Sequence, residues 1–318
     1  AILLKKDPKH KSERKSGDKN IKVYDLDTEQ QGLCNILKNK STTLHIFSFK
    51  FVNCTINLSE IDTIFEHCIL INSFIYASGK QSNCLVLKST SMTQSLTYVE
   101  KYQAIIKNYG NLSMLKCRLS ILLYLKQIQI IVIKQCTNVE TKVPILTIVY
   151  SNIVLIMRLS LSKPSHETKI NFNPVIHIHN VYNVKIVESY FAHLRMHGLK
   201  IGQTAKLKIQ STVFKNCFCP INITGGIDMN SKINIVKTKI LECSCKNQNG
   251  SMSLFFGHLA KNKVYVTNSV VTITFLDVVF TDCYSHNHGG ILLISKYGTV
   301  AHQHVNITCT ILRSLFVN

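Results

Sequence analysis

Apolar residues recur along the chain in one short frame. An apolar–any–apolar triplet is followed, after three or four residues, by an apolar residue and Phe, with Cys or Asn three positions beyond. The clearest copies are 44–54, 207–217, 233–243 and 273–283, and related copies are 58–68, 126–136, 184–194 and 309–318. Alternation of apolar and other residues over so few positions is typical of a short half-buried strand.

Several frames lead into glycine and a second apolar run, at positions 198, 225–226, 250 and 289–290. Each repeat therefore predicts a strand, a corner, a short strand, a glycine turn with positive φ and another strand. One repeat cannot bury its apolar side, whereas stacked repeats can, by pairing equivalent strands in parallel about 4.8 Å apart. We therefore expect Phe191, Phe214, Ile240 and Phe280 to form a single file.

This pattern resembles the right-handed parallel β-helix, the pectin-lyase-like solenoid fold. The Phe-x-x-Asn/Cys and Gly-Gly-Ile elements are similar to repeats of bacterial polymorphic outer-membrane proteins, with Cys where Asn usually falls. The resemblance is good over 184–318, partial over 44–75 and loose over 85–165. It implies an all-β domain over 21–318. A β-sandwich and another solenoid are the alternatives, although dipeptides for two-residue hairpins are scarce.

One segment has the character of a helix. Thr28 and Gln31 have the spacing of a capping box, and Leu33, Ile36 and Leu37 follow on one face. The sequence therefore predicts a short N-terminal capping helix over 28–38, which would cover the open edge of the first strands. β-helices of the kind this chain resembles commonly carry such a cap.

Composition excludes a mostly disordered chain and a long coiled coil. The 318 residues include 46% hydrophobic residues, and 37 Lys and Arg against 17 Asp and Glu give a net charge of +20.

We expect residues 1–20 to be a disordered basic arm, or else an arm that contacts nucleic acid or an acidic surface. The first residue is not Met and the last frame is incomplete, from which we expect a piece of a longer protein. No transmembrane helix is predicted, because 143–157 is too short and suits strands.

The cysteines allow three interpretations. Seven of the twelve occupy the last position of the frame: Cys54, Cys68, Cys117, Cys136, Cys217, Cys243 and Cys283. The offset of 26 residues stacks Cys217 on Cys243, and Cys219 on Cys245. They could form a buried thiol column, disulfides between repeats, or a metal site. The absence of any Cys-x-x-Cys pair makes the metal site the weakest of the three, and no metal or other cofactor is predicted.

Cysteine content and glycosylation sequons both favour an extracellular setting. The seven sequon asparagines are Asn39, Asn53, Asn57, Asn111, Asn222, Asn249 and Asn306.

Pairs of histidines two residues apart, as at His177 and His179, could hold zinc or copper, but surface histidines on a basic protein are the simpler interpretation.

The signal for catalysis is sparse. Glycan-cleaving β-helices use clustered acidic residues, because one carboxyl group protonates the leaving oxygen and another activates water. Here no two acidic residues are adjacent, and the alternative site would combine Asp228, Asp277, Asp282 and His197. Nucleophile and phosphate-loop motifs are absent.

Basic residues give the strongest functional pattern. Lys185 and Lys208 lie between inward apolar residues of their frames, so we expect them to face outward and stack one repeat apart. Further lysines are nearby in sequence, namely Lys200, Lys206, Lys232, Lys237 and Lys239. A polyanion laid along the repeats would relieve the repulsion between them. Acidic or sulfated glycans, anionic lipids and nucleic acid could each serve, and nucleic acid comes last because no stacking aromatics alternate with the lysines.

The favoured hypothesis, which the resemblance implies, is a non-catalytic, secreted or cell-surface binding or adhesion module for acidic glycans. A carbohydrate-active hydrolase or lyase with an atypical acidic site is the alternative. A diverged fragment without activity is the third possibility.

Overall fold

The protein is all-β, and its strands pair in parallel. The computed structural model describes residues 21–25, 29–36, 43–93, 102–138, 145–162, 174–194, 198–225, 230–245, 252–257, 268–285, 292–297 and 304–317. Within these ranges there are strands and no helix, and the pairings in each of the two compact units, 1–147 and 148–318, are parallel. A β-sandwich does not fit this topology, whereas a β-helix is compatible with it.

In the first unit, three ladders of parallel strands follow one another around each repeat. The strands are Ile21–Asp25 (β1), Glu29–Ile36 (β2), Thr43–Phe47 (β3), Lys50–Ser59 (β4), Thr63–Glu66 (β5), Ile69–Ile71 (β6), Phe74–Ser78 (β7), Cys84–Lys88 (β8), Ser91–Thr93 (β9), Ala104–Lys107 (β10), Asn111–Leu115 (β11), Arg118–Ser120 (β12), Leu122–Lys126 (β13), Ile130–Lys134 (β14) and Thr137–Asn138 (β15). Ladder 1A pairs β1, β3, β5, β8, β11 and β14 in that order. Ladder 1B consists of the first residues of β2 and β4, then β6, β9, β12 and β15. Ladder 1C consists of the later residues of β2 and β4, then β7, β10 and β13.

The second unit has the same three-ladder order. The remaining strands are Ile145–Met157 (β16), Ser160–Ser162 (β17), Ile176–Val187 (β18), Tyr190–Ala192 (β19), Leu199–Gln210 (β20), Val213–Lys215 (β21), Ile221–Gly225 (β22), Ser231–Val236 (β23), Lys239–Leu241 (β24), Ser244–Cys245 (β25), Met252–Gly257 (β26), Asn268–Leu276 (β27), Val279–Thr281 (β28), Tyr284–Ser285 (β29), Leu292–Tyr297 (β30), His304–Leu312 (β31) and Leu315–Val317 (β32). Ladder 2A pairs the later residues of β18 and β20 with β23, β27 and β31. Ladder 2B pairs β17, β19, β21, β24, β28 and β32. Ladder 2C pairs the first residues of β18 and β20 with β22, β26 and β30.

Ladder 2B carries the predicted single file of core residues. Phe191, Phe214, Ile240 and Phe280 are register partners in consecutive strands, and all four are completely buried. The rings of Phe191 and Phe214 stack with centroids 5.0 Å apart and planes 9° apart. This centroid distance matches the spacing of neighbouring strands, so the backbone ladder itself sets the ring stacking. The prediction that the repeats lie in register is confirmed.

A left-handed residue follows each strand of ladders 1A and 2A whose next residue the structure describes, before the chain enters the next ladder. These residues have φ between 48° and 55°, and none is glycine: Ser48, His67, Ser89, Lys116, Gln135, Glu188, Ser211, Lys237, Asp277 and Arg313. Such a conformation costs about 1–2 kcal/mol for a residue with a side chain. A hydrogen bond to the next repeat offsets part of that cost; for example, the Ser211 N–H donates to the Val236 carbonyl at 2.9 Å.

The residue after most of these turns is a small hydrogen-bond donor, namely Ser, Thr or Cys; Phe49 after Ser48 and Val278 after Asp277 are the exceptions. The Thr212 hydroxyl donates to the Gln210 carbonyl at 3.0 Å, and the Thr90 hydroxyl to the carbonyls of Lys88 and Phe65 at 3.1 and 3.3 Å. The same donation to the carbonyl two residues earlier is made by Cys54, Cys68, Ser73, Cys117, Cys136, Ser189, Cys217, Thr238, Cys243, Cys283 and Ser314. Ser, Thr and Cys thus perform one task, which is to pair backbone groups that a corner removes from the ladders.

The predicted capping helix is wrong for residues 29–36, which form strand β2; residues 28, 37 and 38 lie outside the described residues. Strand β2 pairs in parallel with β4, with Gly32 opposite Cys54 and Ile36 opposite Leu58. A helix this short is marginal on its own, and Gly32 in its middle weakens it by about 1 kcal/mol. A neighbouring strand that supplies backbone partners therefore overrides the local helical signal.

The role of glycine in the structure also differs from the predicted one. The described corners place polar residues, not glycine, at positive φ, while Gly198 has an ordinary φ. A Cβ atom on Gly198 would lie 2.4 Å from the Pro220 carbonyl oxygen, so this glycine is required by close backbone approach. The glycines at 226, 250, 289 and 290 lie outside the described residues.

We predict that Phe214→Ala lowers the free energy of unfolding by about 3–5 kcal/mol, because it opens a void in the middle of the stacked file. Tyr190→Ala on the same ladder, where the side chain is exposed, should cost about 0.5 kcal/mol or less. Urea denaturation followed by circular dichroism measures both. Equal losses for the two variants would contradict the single-file core.

Candidate functional site

Four lysines of ladder 2A form two facing pairs. Lys185 is the register partner of Lys208, and Lys206 is the register partner of Lys232. The alternation of the strands points their neighbours Val184, Leu207 and Ile233 into the core, so the lysines face outward. The predicted stacking of Lys185 on Lys208 is therefore present. We call Lys185, Lys206, Lys208 and Lys232 the basic face.

The basic face has no acidic counterpart within ion-pair distance among the described residues. The ion pairs of the described residues involve other cations, such as Lys215 with Glu242 at 3.6 Å and Arg158 with Glu188 at 2.7 Å. Facing like charges raise the electrostatic energy of the strand pair. An anion lying across both lysines would lower it, so the face has the charge pattern of a polyanion site.

An open groove of about 380 Å³ lies beside the basic face. Its walls include Tyr182, Lys206, Lys232, Asn230 and Val270. The Lys206 ammonium lies over the ring of Tyr182, 5.6 Å from its centroid. Sequence reasoning named the two lysines but missed Tyr182, Asn230 and Val270. Only the register of β18, β20, β23 and β27 brings residues from four strands of one ladder together here.

Lys200 does not belong to the basic face. It lies on ladder 2C, where its register partners are His177 and Asn222, and Gln203 with φ of 48° separates it from the part of β20 that joins ladder 2A. Burial, with the positive charge of Lys200 in addition, lowers the pKa of both His177 and His179. These histidines therefore stay neutral at neutral pH and add no charge to the surface.

The histidine pair does not form a metal centre with other described residues. The rings of His177 and His179 lie side by side, 6.3 Å between centroids, but the part of the chain that the structure describes contains no group of three or more His, Cys, Asp or Glu side chains that could hold a metal ion.

The alternative acidic site is only partly visible. Asp277 and Asp282 lie at the two ends of strand β28, each at a left-handed corner. The Asp277 carboxylate accepts hydrogen bonds from Arg313, with Oδ1 2.8 Å from Nε and Oδ2 3.0 Å from an Nη atom. Asp277 is thus engaged in a surface ion pair. Asp228 and His197 lie outside the described residues.

The seven frame-end cysteines form two sets and not one column. Cys68, Cys117 and Cys136 follow ladder 1A, whereas Cys54 follows ladder 1B and Cys217, Cys243 and Cys283 follow ladder 2B. The sequence frame did not separate these two sets, because the corners after ladder 1A and the corners after ladders 1B and 2B place a small buried residue at the same distance after a strand. All seven are buried, reduced thiols. The disulfide prediction is therefore wrong for Cys217, Cys243 and Cys283.

Stacking of the thiols is nevertheless as predicted. The Cys217 N–H donates to Cys243 Sγ at 3.4 Å, and Cys283 Sγ donates to the Ile240 carbonyl at 3.2 Å. Hydrogen bonding between neighbouring thiols and burial raise the pKa of Cys243 and of Cys283, and burial raises the pKa of Cys68 to about 11. Cys219 is buried and disulfide-bonded, as the disulfide interpretation allowed, and the side chain of Cys245 lies outside the described residues.

The sequon asparagines differ in accessibility. Asn53, Asn111 and Asn306 are exposed, whereas Asn57 and Asn222 are half-buried. The Asn222 Oδ1 atom is buried and has no hydrogen-bond partner among the residues that the structure describes. Asn39 and Asn249 lie outside the described residues.

Comparisons with known proteins give no assignment: no protein-family model, no curated protein and no solved structure matches this chain. Within the described residues, the protein has no helix whose length and apolar character would let it cross a membrane.

We predict that alkylation of the native protein separates the cysteines. Cys309 is exposed and should react with iodoacetamide, whereas Cys217, Cys243 and Cys283 should react at least about a hundredfold more slowly, because they are buried and react only after local opening. Peptide mapping by mass spectrometry after timed quenching measures each site. Rapid labelling of Cys243 in folded protein, or a Cys217–Cys243 disulfide, would contradict the thiol column.

Proposed function

We propose that the chain winds into a right-handed parallel β-helix and acts as a non-catalytic binding or adhesion module, secreted or at the cell surface, for acidic or sulfated glycans. The three ladders in each unit support the architecture, because in each unit the chain visits them in a constant order. Exposed sequons at Asn53, Asn111 and Asn306 support the location and are the proposed glycan attachment sites.

The observation that carries the proposed function is the arrangement of the basic face, in which Lys185 faces Lys208 and Lys206 faces Lys232. Each lies on a rigid ladder, so the spacing of the charges is preset and little side-chain ordering opposes binding. An extended polyanion can follow the ladder from repeat to repeat, with an anionic group near each lysine. Among the described residues that line the adjoining groove, Tyr182 supplies the one aromatic ring, which favours a glycan over a single-stranded nucleic acid that needs successive stacking platforms.

We expect the protein to be retained on a heparin resin and to elute with salt. The double variant Lys185→Gln/Lys208→Gln should elute earlier, and its slope of log affinity against log salt should fall by roughly two, about one for each lost charge. The matched control Lys107→Gln/Lys134→Gln removes two exposed lysines of the first unit and should elute like the unmodified protein.

Two outcomes would overturn this proposal. Loss of retention to the same extent in both double variants would show binding by net charge alone. Release of reducing ends from galacturonan by the purified protein would instead support the carbohydrate-active enzyme, and Asp277→Asn would then test the alternative acidic site.

A further inference from the structure

The groove beside the basic face differs from the basic face itself, because it combines hydrogen-bond donors with apolar surface. Tyr182 is 49% exposed and Val270 is 43% exposed, so two large apolar side chains face solvent within one small depression. The groove lies at the low end of the size range of small-ligand sites. Its shape therefore suits one compact ring and not only the backbone of a passing chain.

The polar groups that face the groove are mainly donors. Lys206 and Lys232 contribute ammonium groups from adjacent strands. Asn230 accepts a hydrogen bond at Oδ1 from the Val270 N–H at 3.0 Å, which fixes the orientation of its amide. The Asn230 NH₂ group has no partner among the described residues. Two cations and a fixed amide donor, with no carboxylate among the lining residues that the structure describes, favour an anionic group.

The neighbouring polar residues are already committed to the protein. The Ser231 hydroxyl donates to the Thr204 carbonyl at 2.9 Å and is buried. This bond joins β23 to β20, two strands whose residues line the groove. The Lys206 ammonium is held near the Tyr182 ring by a cation–π contact, so one wall carries charge and apolar surface together.

We propose that this groove is a subsite for a single anionic ring, a uronate or a sulfated sugar. The anionic group lies between Lys206 and Lys232 within reach of Asn230, and an apolar edge of the ring contacts Tyr182 and Val270. The proposal rests on the proposed glycan-binding function. It adds that this subsite selects a charged ring, whereas Lys185 and Lys208 attract charge without selecting the unit that carries it.

The test is direct titration with small soluble probes: galacturonic acid, glucose 6-sulfate, glucose and inorganic sulfate. Chemical-shift changes in isotope-labelled protein report the affinity. We expect one or both charged sugars to bind and glucose not to bind. Tyr182→Ala, Lys232→Gln and Asn230→Asp should each weaken that binding about tenfold or more. Tyr182→Phe should keep it, and Lys239→Gln, an exposed lysine on ladder 2B, is the matched control. The preferred sugar distinguishes a carboxylate ligand from a sulfate ligand.

The outcomes separate this proposal from the function on which it rests. If no charged sugar binds, or if Tyr182→Ala binds it like the unmodified protein, while retention on heparin persists, the subsite proposal is overturned and the binding module stands. If inorganic sulfate binds as tightly as the sulfated sugar and Tyr182→Ala has no effect, the groove holds an ion and no ring, which also overturns the proposal. Absence of both sugar binding and heparin retention overturns the proposed function itself.

Discussion

Pairing of backbone groups at the corners is the constraint on which the structure depends. A strand can leave one ladder and enter the next only if the N–H and carbonyl groups between them find partners. At Ser211 and Thr212 the left-handed residue donates to the next repeat, and the buried hydroxyl after it pairs a carbonyl of its own strand. A left-handed residue recurs after the strands of ladders 1A and 2A, most often with Ser, Thr or Cys next to it, and this repeated corner keeps the strands of successive repeats in register.

Register is what converts a sequence pattern into surface chemistry. Positions one repeat apart become neighbours, so a lysine placed outward in two successive frames yields two charges side by side, as at Lys185 and Lys208. The same rule stacks Phe191 on Phe214 inside the unit. Buried rings and exposed charges are thus consequences of one alignment, and each constrains where the other can lie.

Much of this could be predicted from the sequence, because strand alternation and the Phe frame are local signals that repeat. The thiol stacking of Cys217 on Cys243 and the outward lysines followed from the same frame. The groove could not, since Tyr182, Asn230 and Val270 come from different strands and carry no shared motif. The error at 29–36 has the opposite origin: a genuine local helix signal was outweighed by a distant partner strand, β4, whose contribution appears only once the fold is known.

The buried corner thiols also affect what cysteine content can reveal. Oxidants attack the thiolate, and the raised pKa of Cys68, Cys243 and Cys283 keeps that form scarce. A corner built with Cys should therefore persist in both reducing and oxidising surroundings, as one built with Ser or Thr does. The corner thiols of this molecule therefore do not by themselves indicate an oxidising compartment, because the task they perform is indifferent to redox state.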